Sequence, residues 1–185
     1  ARADRLFSDP WAAALAGQEG MEWLEQKTDE KVVAIVLRTR FFDDWLGQVT
    51  HQEKVQQVVL LAAGLDTRGF RLSWPPETHL YELDQPSVMR HKSQVLELAG
   101  AKPTCQRTVI EIDLSCPWAD ALLKMDFDRN RPSCWLLEGL LFYLPNQTIV
   151  SLVDQVSSLA SAGSCIGFDI INDVVLTSPW TRSWV

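Results

Sequence analysis

Three acidic side chains, Asp84, Asp113 and Glu138, stand at the ends of short apolar runs, and two arginines sit close together in Leu37-Arg38-Thr39-Arg40-Phe41-Phe42-Asp43-Asp44. A carboxylate accepts hydrogen bonds from hydroxyls and amines, whereas a guanidinium fork can grip a carboxylate through two parallel N–H bonds. Glu138 is the most informative of these positions. It interrupts Leu136-Leu137-Glu138-Gly139-Leu140-Leu141-Phe142, and a charge in so apolar a setting must find a partner or open onto a cleft. Each position also has a plainer reading. Asp84 and Asp113 could cap helices, Glu138 could pair with an arginine, and Arg38 and Arg40 could be solvated on a helix.

Glycine placement narrows the ligand. The run Val58-Val59-Leu60-Leu61 leads into Ala62-Ala63-Gly64-Leu65-Asp66-Thr67-Arg68, and Gly64 lets a ligand approach the backbone where any Cβ would intrude. A dinucleotide loop wants Gly-x-Gly-x-x-Gly to seat a pyrophosphate on a helix N-terminus, but the three positions here are Ala62, Gly64 and Thr67. One glycine of three disfavours a dinucleotide and leaves room for a nucleoside without phosphates. Asp84 follows Gly64 by twenty residues, the interval at which a carboxylate commonly accepts from ribose hydroxyls. Asp113 could receive the exocyclic amine of a purine, with Leu114 packing against the ring.

These residues need elements to hold them. Residues 9–46 carry apolar side chains at three- and four-residue steps, predicting two or three opening helices with Asp9-Pro10 as a start signal. Short apolar runs at residues 58–63, 79–83, 108–112, 134–137 and 165–170 read as five strands. Helical stretches at 87–98, 118–124 and 147–160 lie between them. Alternation of this kind predicts a doubly wound α/β fold with a mostly parallel sheet, helices on both faces, and ligands beyond the strands' carboxyl ends. The division expected is an N-terminal helical cap, 1–54, on an α/β core, 55–185, within a single domain.

The composition fits a globule. Of 185 residues, 46% are hydrophobic and 22% charged, and the formal net charge is −7 with a pI near 4.9. An acidic balance without a basic cluster argues against a nucleic-acid partner. No apolar stretch reads as a membrane span and the first residues do not read as a secretory signal, so a cytoplasmic location is expected. Cys105, Cys116, Cys134 and Cys165 form no Cys-x-x-Cys pair, and His51, His79 and His91 make no ligand spacing, so free buried thiols and no metal are expected.

The segments 2–10, 38–44, 58–68, 81–86 and 137–145 together resemble the leucine carboxyl methyltransferase family. More closely, they resemble its bacterial branch of S-adenosylmethionine-dependent O-methyltransferases. The resemblance runs nearly end to end and implies a Rossmann-like class I methyltransferase fold with S-adenosylmethionine as cofactor. It implies a methionine-carboxylate contact at Arg38 with Arg40 near it, and backbone contacts around Ala62 and Gly64. Further implied are a ribose contact at Asp84, adenine contacts at Asp113 and Leu114, and a contact near the methionine end at Glu138. The leucine carboxyl methyltransferases proper have Gly at the position of Ala62. The family also carries a short segment before the position of Ala1, and a long one after that of Val185 that completes the sheet and covers the acceptor site.

The activity implied is methyl transfer to a carboxylate or hydroxyl of a small molecule or a protein terminus. No residue stands out as a catalytic base, and nothing in the sequence fixes an oligomeric state. Two other readings compete. One is a non-catalytic binding protein that keeps the fold; the other is a nucleotide-binding oxidoreductase, which the broken glycine loop disfavours.

Overall fold

The computed structural model describes residues 5–25 and 29–171, less the side chains of residues 23–32. Asp9 opens the first helix as its sequence suggests, accepting the amides of Trp11 and Ala12 at 3.0 and 3.1 Å through Oδ1. Helix α1 (Ala12–Glu25) bends at Gly17, whose φ is +62°, and α2 (Asp29–His51) follows.

The sheet is built from β1 (Gln57–Leu61), β2 (His79–Asp84), β3 (Gln106–Glu111), β4 (Ser133–Leu137) and β5 (Cys165–Phe168). All four pairings are parallel and the strand order is β3-β2-β1-β4-β5. The central strands β1 and β4 are buried along their whole length, which is why they read as continuous rather than alternating apolar runs. Between the strands lie α3 (Arg68–Arg71), α4 (Pro86–Leu98), α5 (Ala119–Leu123) and α6 (Asn146–Leu159).

Side-chain alternation along β1 sends its residues into two cores. Val59 and Leu61 join Trp135, Leu137, Trp118, Leu122, Leu152 and Val156 on the face covered by α5 and α6. Val58 and Leu60 join Phe42, Leu46 and Val49 of α2 on the other face. The expected doubly wound arrangement is therefore present. Two small elements escaped the sequence pattern, α3 and a 3-10 turn at Leu141–Tyr143, because four and three residues are too few to show a period. The thiols are free, but of the four expected to be buried Cys134 alone is; Cys105 and Cys165 are half-buried, and Cys116 is exposed in the loop between β3 and α5. No helix among the described residues is long and apolar enough to cross a membrane.

One charge cluster is sealed under the sheet on the α4 side. Glu82 and Lys92 are both fully buried, and Glu82 Oε2 accepts from Lys92 Nζ at 2.6 Å and from Arg107 Nη2 at 2.7 Å. The Arg107 guanidinium also lies over the Phe70 ring, 4.8 Å from its centroid. Removing one member of such a cluster strands a charge away from water. Replacing Lys92 by Met should lower unfolding stability by about 3–5 kcal/mol, read as a shifted urea midpoint; a loss below about 1 kcal/mol would show that Arg107 alone suffices for Glu82.

Candidate functional site

Strand β1 ends abruptly because Ala62 and Gly64 both take left-handed backbone, with φ of +56° and +46°. The turn they make swings the chain into α3 and exposes backbone at the mouth of the sheet. Asp84, closing β2, braces it. Its Oδ2 accepts the Gly64 amide at 2.7 Å and its Oδ1 accepts the Gln85 amide at 2.6 Å. Asp84 therefore ties the ends of two neighbouring strands together instead of capping α4, whose N-cap is Gln85.

Across the gap, β4 ends at Leu137 and presents Glu138. Its two oxygens are held by different arginines, Oε1 by Arg38 Nε at 2.8 Å and Oε2 by Arg68 Nη1 at 2.7 Å. Arg38 also reaches Asp169 Oδ2 at 2.8 Å, while Asp169 Oδ1 accepts the Gly139 amide at 2.6 Å. Gly139 has a φ of +69°, and a Cβ there would lie 3.4 Å from the Arg38 guanidinium nitrogens. Glycine at this position thus satisfies the turn and gives Arg38 its passage.

Arg68 is the most enclosed cation of the crevice, with only 2% of its side chain exposed. Its Nε donates to Asp43 Oδ1 at 2.7 Å, and its Nη1 serves both Asp66 and Glu138. Burial alone would weaken its charge, but Asp66, Glu138 and Asp43 outweigh burial and push its pKa above the ordinary arginine value. For Asp66 the same contest runs the other way. Burial opposes ionisation, yet Arg68 and then Lys92 hold the carboxyl below its usual range. Arg71 clamps Asp43 through two bonds of 2.6 and 2.9 Å, and Thr67 Oγ1 donates to Asp9 Oδ2 at 2.6 Å, docking the N-terminal segment on the turn.

Two adjoining cavities open along this edge and share Ala62 as a wall. The larger, about 440 Å³, lies between β1 and β4 and is lined by Ile35, Arg38, Ala62, Gly64, Asp66 and Glu138 among others. The smaller, about 210 Å³, lies between β2 and α6, with Asp84 and Asp113 on its rim and Ile112, Leu114, Leu140 and Leu144 making apolar walls. Asp113 is exposed, and hydrogen bonds from the backbone and side chain of Ser115 hold its pKa below the ordinary value.

Of the residues singled out by sequence, Arg38, Ala62, Gly64 and Glu138 meet in the larger cavity, while Ala62, Asp84, Asp113 and Leu114 line the smaller. Arg40 is not brought there. Two residues along a helix turn a side chain by about 200°, so Arg40 points to the surface, donating to Asp44 Oδ2 and to the Leu6 carbonyl, both at 2.8 Å. The structure adds Arg68, Asp66, Asp43, Gly139 and Asp169. Asp169 had a legible signal, since it follows the apolar run Ile166-Gly167-Phe168 much as Glu138 follows Leu136-Leu137. Arg68 had none, because nothing in the sequence around it shows that it folds inward.

A match to the leucine carboxyl methyltransferase family spans residues 1–157. The chain belongs to this family. A protein of Mycolicibacterium gilvum named "Putative S-adenosyl-L-methionine-dependent methyltransferase" is 36% identical over 97% of this chain and 65% of its own length. One of the same name from Mycolicibacterium vanbaalenii is 42% identical over 80% of this chain and 49% of its own. The chain thus spans about half to two thirds of the length of these curated relatives. A Streptomyces avermitilis protein of the DUF574 family shares the fold, with a TM-score of 0.69 at 14% identity over 98% of this chain and 73% of that one.

Family membership gives Ala62 a physical test. A non-glycine residue in left-handed backbone costs about 1–2 kcal/mol, and glycine returns part of that as unfolded-state entropy, about 0.5–1 kcal/mol. Ala62→Gly should therefore raise the melting temperature by about 2–4 °C. A lower melting temperature would mean that the Ala62 methyl group contributes packing that outweighs the strain.

Proposed function

We propose that this chain is the cofactor-binding part of an S-adenosylmethionine-dependent methyltransferase that methylates oxygen, at a carboxylate or hydroxyl of a small molecule or protein terminus. One observation carries the reading. A cavity lined by charged as well as apolar side chains and a more apolar cavity meet at Ala62, and Asp84 stands beside that junction, held to the Gly64 amide. A ligand with a zwitterionic end, a ribose and a flat purine has that same sequence of chemistries.

The assignments follow the walls. Leu114, Ile112 and Leu144 would sandwich a purine, with the Asp113 carboxylate at the exposed rim to accept an exocyclic amine. Asp84 would accept ribose hydroxyls. Arg38 has Nε and Nη1 engaged by Glu138 and Asp169, so an amino-acid carboxylate would reach it through Nη2. Glu138, held between two guanidinium groups, would face the cationic end of the ligand. When bound, the cofactor supplies an activated methyl group on a sulfonium. The residues of this chain then have to fix that group, keep water from it and leave one line of approach for the acceptor oxygen.

A carboxylate acceptor is already ionised at neutral pH and needs no base, whereas an alcohol or phenol needs one within hydrogen-bond reach. None of the three histidines lines either cavity, whereas the carboxylates Asp9, Asp66 and Glu138 line the larger one. A dinucleotide-dependent oxidoreductase fits less well. Such a site presents free amides to a pyrophosphate, and here the Gly64 amide is already engaged by Asp84.

Calorimetric titration of the purified chain with S-adenosylmethionine and its demethylated product, with NAD as a control, is the deciding experiment. Saturable binding of the first two and none of NAD supports the proposal, and a labelled methyl group then reports transfer to carboxylate or phenolic acceptors. Binding without transfer to any acceptor would favour a non-catalytic role, while a folded chain that ignores both ligands would refute the cofactor reading.

Within that assay, Asp84→Ala should weaken cofactor binding about 10- to 100-fold, the worth of a charge-assisted hydrogen bond of about 1.5–3 kcal/mol. Arg40→Ala, outside the cavity, should leave affinity within about twofold, the scatter expected of a surface change. Equal effects of the two substitutions would remove the ribose assignment from Asp84.

A further inference from the structure

We infer that Arg68 is a positioning residue of the cofactor site, whose guanidinium aims Glu138 and Asp66 at the larger cavity while it ties α2 to the sheet. The inference rests on the cofactor reading above and goes beyond it, because Arg68 is given no ligand contact of its own.

The connectivity is the first argument. One guanidinium reaches Asp43 on α2, Asp66 in the turn after β1 and Glu138 at the end of β4, and it also donates to the Thr39 carbonyl at 3.4 Å. Three walls of the larger cavity thus converge on one side chain. Thermodynamics is the second argument. A buried ion cluster generally contributes little more to stability than well-packed apolar residues of the same volume, since desolvation offsets the attraction. Arg68 lies 2% exposed at the mouth of the sheet, beside the apolar core that holds Phe42, Leu60 and Trp74. A leucine or methionine could fill such a volume, but neither could hold two carboxylates in fixed rotamers against a ligand cavity.

The surrounding charges sharpen this. Glu138 is faced by Arg38 from α2 as well as by Arg68, and Arg38 is shared with Asp169 beyond β5. Asp43 has Arg71 from α3 as a second partner, and Asp9 lies 4.0 Å from Arg71. Asp66 is influenced by Lys92 of α4 but bonded to Arg68. Without Arg68, Glu138 would keep a half-shared cation and Asp66 would keep none in contact. Neither carboxylate would then be held in the orientation that Arg68 fixes, and Asp66 would lose the cation that chiefly holds its carboxyl below the usual range. A Glu138 no longer aimed into the cavity attracts a cationic ligand less, so affinity should fall.

The test is titration of the 185-residue chain with S-adenosylmethionine at neutral pH, together with melting temperatures. It compares the wild type with Arg68→Met, Arg68→Lys, Glu138→Gln and the double substitution of Arg68→Met with Glu138→Gln. Arg68→Met should bind S-adenosylmethionine about tenfold more weakly than the wild type. In the Glu138→Gln background the Arg68 effect should shrink to less than half. Arg68→Lys retains the charge on a point-like ammonium that cannot bridge three carboxylates, and it should show the same weakening if the methionine variant does not fold. Arg68 variants with lower melting temperatures but wild-type affinity would overturn the inference and leave the cofactor reading intact, as would effects that simply add to that of Glu138→Gln. A wild type that does not bind S-adenosylmethionine would overturn the cofactor reading and this inference with it.

Discussion

The reversal of strand order between β1 and β4 is the constraint on which the rest of this structure depends. From β1 the chain builds outward through β2 and β3, then returns to lay β4 on the opposite side and β5 beyond it. The segments leaving β1 and β4 therefore depart in different directions, and among the described residues a cavity opens between them. A parallel sheet also points all its carboxyl ends the same way, so Ala62, Asp84 and Glu138 emerge on one edge although they lie far apart in the chain. The opening is a consequence of topology, and the residues around it are what give it chemistry.

That chemistry costs stability locally. The crevice concentrates Arg38, Arg68 and Arg71 with Asp43, Asp66, Glu138 and Asp169, of which Arg68, Arg71 and Asp43 are nearly withdrawn from water. Charges in such a place are tolerable only in alternation, each carboxylate meeting a cation and each guanidinium meeting more than one carboxylate. The two apolar cores on either face of the sheet supply the compensating burial. The result is a rigid frame around a charged opening, which suits a ligand that carries both signs of charge at one end.

How far the sequence foretold this depends on how local each cause is. Burial on both faces of a parallel sheet leaves a mark on every residue of a strand, so β1, β2 and β4 were legible within a residue or two at their starts. The start of α1 was legible because an Asp-Pro pair acts over three residues, as the Asp9 bonds to Trp11 and Ala12 show. Glu138 was legible because a charge in an apolar run needs a partner wherever it lies, but which arginine would answer was not. Arg38 and Arg68 reach it across 100 and 70 residues of chain, and only the packing of α2 and α3 on the sheet decides that. Arg40 shows the converse error. Proximity in sequence put it beside Arg38, and helical geometry turned it away.

Asp84 joins these levels. The sequence interval from Gly64 suggests a carboxylate aimed at a ribose, and a helix cap after Pro86 competes with that reading. The structure shows a third arrangement, in which the carboxylate accepts the Gly64 and Gln85 amides. Its position beside the junction of the two cavities follows from those bonds: the left-handed turn at Ala62 and Gly64 presents an amide, and the carboxylate is drawn to it. A hydroxyl-bearing ligand would then meet an acceptor whose orientation is already fixed by the backbone, so little side-chain entropy remains to be lost on binding. The same hydrogen bond that closes the strand ends would thus prepare the proposed site, so the structural role of Asp84 and its proposed ligand role are compatible.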